Sequence, residues 1–82
     1  MEKIYVVQEI DKDTSLSEIV YANKTMDSCV DWIKNYLTSH PAFINGYSYL
    51  VQELIVGGFP TYSAYYDKER LLALTQLNEE DI

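Results

Sequence analysis

Apolar and polar positions change period along this chain, and each change marks an element. Residues 3–10 alternate, with Ile4 and Val6 on one side and Tyr5 and Val7 on the other. That pattern predicts a strand apolar enough on both faces to lie centrally in a sheet. Asp11-Lys12-Asp13-Thr14-Ser15 is a polar turn cluster, and residues 16–22 resume with Ile19, Val20 and Tyr21, types suited to a second strand. The short link predicts an antiparallel hairpin.

From residue 26 the period lengthens. Met26, Cys29, Val30, Ile33, Tyr36 and Leu37 recur at steps of three and four, while Asp27, Asp31, Lys34, Asn35 and Thr38 lie elsewhere. This is an amphipathic helix, capped by Thr25 and ended by His40-Pro41, because the residue before proline is pushed out of helical geometry. Residues 42–46 read as a connection with Asn45-Gly46 as a turn, and Tyr47 to Val56 as a third strand broken by Gly57-Gly58-Phe59-Pro60. Thr61 to Tyr66 is extended again. Residues 67–77 fit either a helix capped by Asp67 or a turn followed by a strand, and the helix formers favour the helix. Residues 78–82 form an acidic tail expected to fray.

The order predicts one α+β domain over residues 1–82: a small antiparallel β-β-α-β sheet, then a short strand and a C-terminal helix or hairpin. The amphipathic helix covers one sheet face. Tyr5, Val7, Tyr49 and Val51 are expected on the other, to be covered by the C-terminal segment, a second copy of the chain, or a partner.

Lys3-Ile4-Tyr5-Val6-Val7-Gln8, then Ile19 to Thr25 leading into a helix, and the return strand Tyr47 to Leu54, resemble small phage and bacterial proteins of unknown function. The likeness covers residues 3–56 and is one of pattern. It implies a phage or mobile-element setting and transfers no functional residue.

Composition narrows the function classes. The chain has 82 residues, enough for one modest core, and domains this small often gain stability from a partner or a second copy. No apolar run approaches the roughly 20 residues of a membrane span. The opening residues lack the regions of a signal peptide, and Cys29 is the only cysteine, so the expected setting is a reducing cytoplasm. Asn23-Lys24-Thr25 matches a glycosylation sequon by chance. The net charge is −7, with 13 acidic against 6 scattered basic side chains. That balance argues against direct nucleic-acid binding, which needs cations to replace phosphate counterions. It suits a basic protein partner as well as simple solubility.

Candidate chemistry is thin. His40 sits at a helix end with no signalled partner, and Cys29 lies on the buried stripe where a thiol is inert. Glu9, Asp11 and Asp13 cluster at the turn, but counting from Asp11 an EF-hand loop fails: its glycine position holds Leu16 and its twelfth holds Ala22. Gly57-Gly58 lacks the residues of a phosphate loop. No catalytic residue, cofactor or metal site is expected, and the chain is not expected to be an enzyme.

Eight tyrosines are the more telling excess, because tyrosine and tryptophan anchor binding hot spots. Trp32 beside Asp31, and Phe59, Tyr62, Tyr65 and Tyr66 followed by Asp67 and Glu69, are the candidate protein-binding residues. They predict an inhibitor that occludes a host defence or nucleic-acid-binding protein, with homodimerisation allowed. The alternatives are a homo-oligomer binding a nucleotide signal and an immunity protein against a basic toxin.

Overall fold

The computed structural model describes residues 2–55 and 57–82. Lys3–Asp11 (β1) and Ser17–Asn23 (β2) form the expected hairpin. Its turn is held by the Asp11 carboxylate, which accepts the backbone N–H groups of Asp13 at 2.8 Å and Thr14 at 3.3 Å. Ser15 closes it with a left-handed φ of 61°. Val7 pairs with Tyr21 but Gln8 with Ile19, so Val20 is an extra residue and β2 bulges there.

Met26–Ser39 is the amphipathic helix (α1). Thr25 is extended, and its hydroxyl oxygen accepts the N–H of Ser28 at 3.2 Å, satisfying a donor the helix itself leaves free. At the other end His40 leaves helical geometry before Pro41, and its N–H reaches the carbonyls of Tyr36 and Leu37. Cys29, Ile33 and Leu37 are fully buried, so the thiol is a core group as expected.

The connection over 42–46 is not a loop. Phe43–Gly46 makes one helical turn (α2), because Ile44 is drawn into the core and the turn's N–H groups bond back to His40, Pro41 and Ala42. Tyr47–Ile55 (β3) and Tyr62–Tyr66 (β4) follow, and the predicted last strand residue, Val56, lies outside the described residues. The break between them turns through Gly57 at φ 79°, where a side chain would be strained.

Residues 67–77 settle as a helix. Lys68–Thr75 (α3) starts where the Asp67 carboxylate accepts the N–H of Arg70 at 2.9 Å, and Leu71 anchors it in the core. The acidic tail departs from the expected fraying. Glu79–Asp81 makes a 3-10 turn closed by Asp81 on the N–H of Asn78, Lys68 pairs with Glu79 at 3.0 Å, and Ile82 rests against the core.

The four strands order as β2-β1-β3-β4, all neighbours antiparallel, so β1 and β3 are central. The register corrects the assignment of faces. Tyr5, Val7, Tyr49 and Val51 point toward the helices, where Val7, Tyr49 and Val51 are fully buried among Cys29, Ile33, Leu37 and Leu71. The face opposite carries the residues in between: Ile4, Val6, Gln8 and Ile10 on β1, and Ser48, Leu50, Gln52 and Leu54 on β3. Both candidate sets alternate equally well along β1, so the sequence pattern does not say which set the helix takes. The tyrosine-bearing set wins because Tyr49 can place its hydroxyl on Glu9 at 2.7 Å while its ring is buried.

Candidate acidic-aromatic groove

Trp32, Tyr36 and His40 recur every four residues and therefore stand one above another on a single flank of α1. The aromatic column they start is continued by other elements. Tyr21 of β2 stacks on Trp32 at 5.2 Å between ring centres, and Trp32 on Tyr36 at 4.7 Å, both nearly parallel. His40 lies 4.8 Å from Tyr36, and Phe43 of α2 meets Tyr36, His40 and Tyr47 at 5.4–5.7 Å. His40 Nδ1 is 3.0 Å from the carbonyl of Tyr36, so the lone histidine interacts with a last-turn carbonyl of α1.

Tyr47 also belongs to an open groove of ≈ 470 Å³ at the hairpin end of the sheet. Its acidic wall is made by Glu9, Asp11 and Glu18, with Thr14, Leu16 and Ser17 beside them. Glu9 and Glu18 are direct partners across the hairpin, a like-charge pairing that costs stability. Among the described residues the ion pairs are Lys3–Glu53 and Lys68–Glu79, so no cation among them pairs with a carboxylate of the groove. Lys12, the basic side chain of the adjoining turn, instead donates to the carbonyl of Ile44 at 3.1 Å.

The carboxylates mark the neighbouring phenols. Burial, then the nearby Glu9, Tyr47 and Glu18, push the Tyr36 hydroxyl above its ordinary range. Burial and the hydrogen bond to Glu9 push Tyr49 far higher. Among the described residues no set of three His, Cys, Asp or Glu side chains is placed to hold a metal ion. No helix among them is long and apolar enough to cross a membrane.

The predicted aromatic-acidic strip from Phe59 to Glu69 is not one surface. Phe59 stands 87% exposed on the loop before β4. Tyr62 and Tyr66 share the helix side of β4, whereas Tyr65 points to the opposite side. Tyr66 is buried under the Arg70 guanidinium, 4.5 Å from its ring centre, and Arg70 also donates to the carbonyl of Tyr65 at 2.8 Å. Asp67 caps α3, while Glu69 is exposed in its first turn. Trp32 is half-buried inside the aromatic column, and Asp31 faces outward beside it.

The grouping of Glu9, Glu18, Tyr36 and Tyr47 was missed. The four-residue spacing of Trp32, Tyr36 and His40 was a readable signal; the Glu9–Glu18 pairing needed the hairpin register. No protein-family model, curated protein or solved structure matches the chain.

Proposed function

We propose that this protein acts by binding a protein partner and not by catalysis, and that a basic segment of that partner enters the groove beside Tyr47. The observation that carries this reading is the Glu9–Glu18 pair. Two carboxylates face each other across the hairpin, next to an aromatic wall, with no ion-pair partner among the described residues. A lysine or arginine from outside relieves that repulsion and stacks on the ring of Tyr47. The net charge of −7 speeds encounter with a basic surface. Occlusion of a host protein, in the phage or mobile-element setting that the strand-helix pattern of residues 3–56 evokes, is the matching role, and a reducing cytoplasm suits the single buried thiol. A nucleotide ligand is disfavoured, since carboxylates line the groove and repel phosphate.

Glu18→Gln tests this directly. Removing one carboxylate of the pair raises folding stability by about 0.2–1 kcal/mol. It also weakens binding of an arginine-rich peptide by roughly tenfold, the loss of one charged contact. Isothermal titration at low and high salt reads the binding, and urea unfolding reads the stability. Equal peptide affinity for the two proteins, or peptide binding that ignores salt, would reject the proposal.

A further inference from the structure

Among the described residues, the strand positions of the sheet face turned away from the helices carry no charged side chain, and Glu2 and Lys24 border it only at the Ile4 end. By register its positions are Ile4, Val6, Gln8 and Ile10 on β1 and Ser48, Leu50, Gln52 and Leu54 on β3, with small, apolar and tyrosine residues on the flanking strands. Yet 19 of the 82 residues are charged by the composition of 13 acidic and 6 basic side chains. A sheet face meant for water alternates its apolar positions with charged and polar ones. Here the polar groups at the centre are Gln8 and Gln52, and they bond to each other at 3.2 Å. Ile4 and Ile19 stay exposed at 38% and 61%, and none of this face joins the helix-side core.

We infer that this face is the interface of a homodimer, two copies stacking sheet on sheet about a two-fold axis. Charge selects the occupant. A second copy brings −7 of its own, so it can dock closely only where neither surface presents carboxylates, and this face meets that condition. A basic partner finds one acid, Glu2, at the Ile4 margin, and an anionic lipid surface finds there only Lys24 and Lys3 beside it, too few for either to be drawn to the face by charge. The C-terminal segment is engaged elsewhere, since Leu71, Leu77 and Ile82 lie against the helix-side core.

Size agrees. Four strands about 4.8 Å apart and some seven residues long at about 3.3 Å each frame roughly 450 Å² per copy in projection. Two such faces remove about 900 Å² even before side-chain relief is counted, near the lower bound of about 1,000–1,200 Å² for specific interfaces. Isologous stacking sets each Gln8–Gln52 pair against that of the other copy, so the amide groups left over at the centre find donors and acceptors across the axis. The groove beside Tyr47 lies on the helix side and stays open in the dimer.

Sedimentation velocity on the intact chain at tens of micromolar tests the assignment. The expected species has twice the 9.5 kDa chain mass. Leu50→Glu and, separately, the more exposed Ile4→Glu each convert it to the single-chain mass, with circular dichroism of the wild type retained for at least Ile4→Glu. Glu18→Gln leaves the dimer intact, which separates this interface from the groove. A wild-type monomer at 100 micromolar overturns the inference and hands the face to a different macromolecule. A dimer that survives in folded Ile4→Glu overturns it as well, as does one lost in Glu18→Gln.

Discussion

On β3, Val51 and Leu50 are neighbours in the chain but belong to opposite environments. Val51 is fully buried between the sheet and α1, whereas Leu50 is half-buried on the face the helices leave open. The helix side holds the folded core and, toward the strand ends, Glu9, Glu53 and Lys3. The open side is largely apolar, with Gln8, Gln52 and Ser48 among its residues and no charged side chain at its described strand positions. One side therefore answers for the fold and its pH dependence, the other for association. A strand that is apolar on both faces is the expected sign of a sheet covered twice.

Placing a charge at each of the two positions should break the symmetry most sharply. Val51→Glu buries an unpaired carboxylate, a penalty of several kcal/mol that rivals the ~3–5 kcal/mol a single core of this size supplies. The variant should be unfolded by circular dichroism. Leu50→Glu should melt cooperatively, losing stability chiefly through the association that its wild-type counterpart gains with concentration. If both variants unfold at every concentration, the two faces are not separable in this way.

A smaller effect probes the helix side alone. Tyr49→Phe removes a buried hydroxyl bonded to Glu9 and should cost about 1–2 kcal/mol in urea. Because the folded state raises this phenol above its ordinary value of 10.0, its contribution is complete below pH 10.0 and disappears as pH climbs through the raised value. Wild-type stability should thus fall in strong alkali, and the fall should be shallower in Tyr49→Phe.

The smallest effect lies in acid. Hydrogen bonds from Thr61 and Tyr5, with Lys3 at 3.8 Å, hold the Glu53 carboxyl below its ordinary value of 4.5. A depressed carboxyl stabilises the fold above that value and ceases to as pH drops through the lowered one. Melting temperatures of Glu53→Gln and wild type should therefore converge as pH falls below 4.5 and differ at neutrality. A constant difference across that range would assign Glu53 no role in acid lability.

Local signals in the sequence were enough for α1, its Thr25 cap and its Pro41 stop, and for the β1–β2 hairpin, since each depends on residues a few positions apart. The choice of helix for residues 67–77 also followed from local propensity and the Asp67 cap. What escaped was nonlocal. Which face of β1 the helix would cover depended on pairing with β3, whose partners lie 36 to 52 residues away, and both faces looked equally apolar. The strip from Phe59 to Glu69 was adjacent in sequence but alternates across β4, so proximity along the chain was mistaken for a shared surface. The Glu9–Glu18 groove had the opposite difficulty, its residues being separated by a turn whose register was not fixed by pattern alone.

The strand order also dictates the sequence of events at the ribosome. β1 is central, yet only its β2 side can be satisfied by residues made soon after it; its other edge waits for β3, which starts at Tyr47. During that interval the nascent hairpin exposes a row of unpaired backbone groups flanked by apolar side chains, an invitation to pair with another chain. Translation that stalls between α1 and β3 should for that reason produce aggregates enriched in the β1–β2 hairpin, whereas a pause after β3 should not.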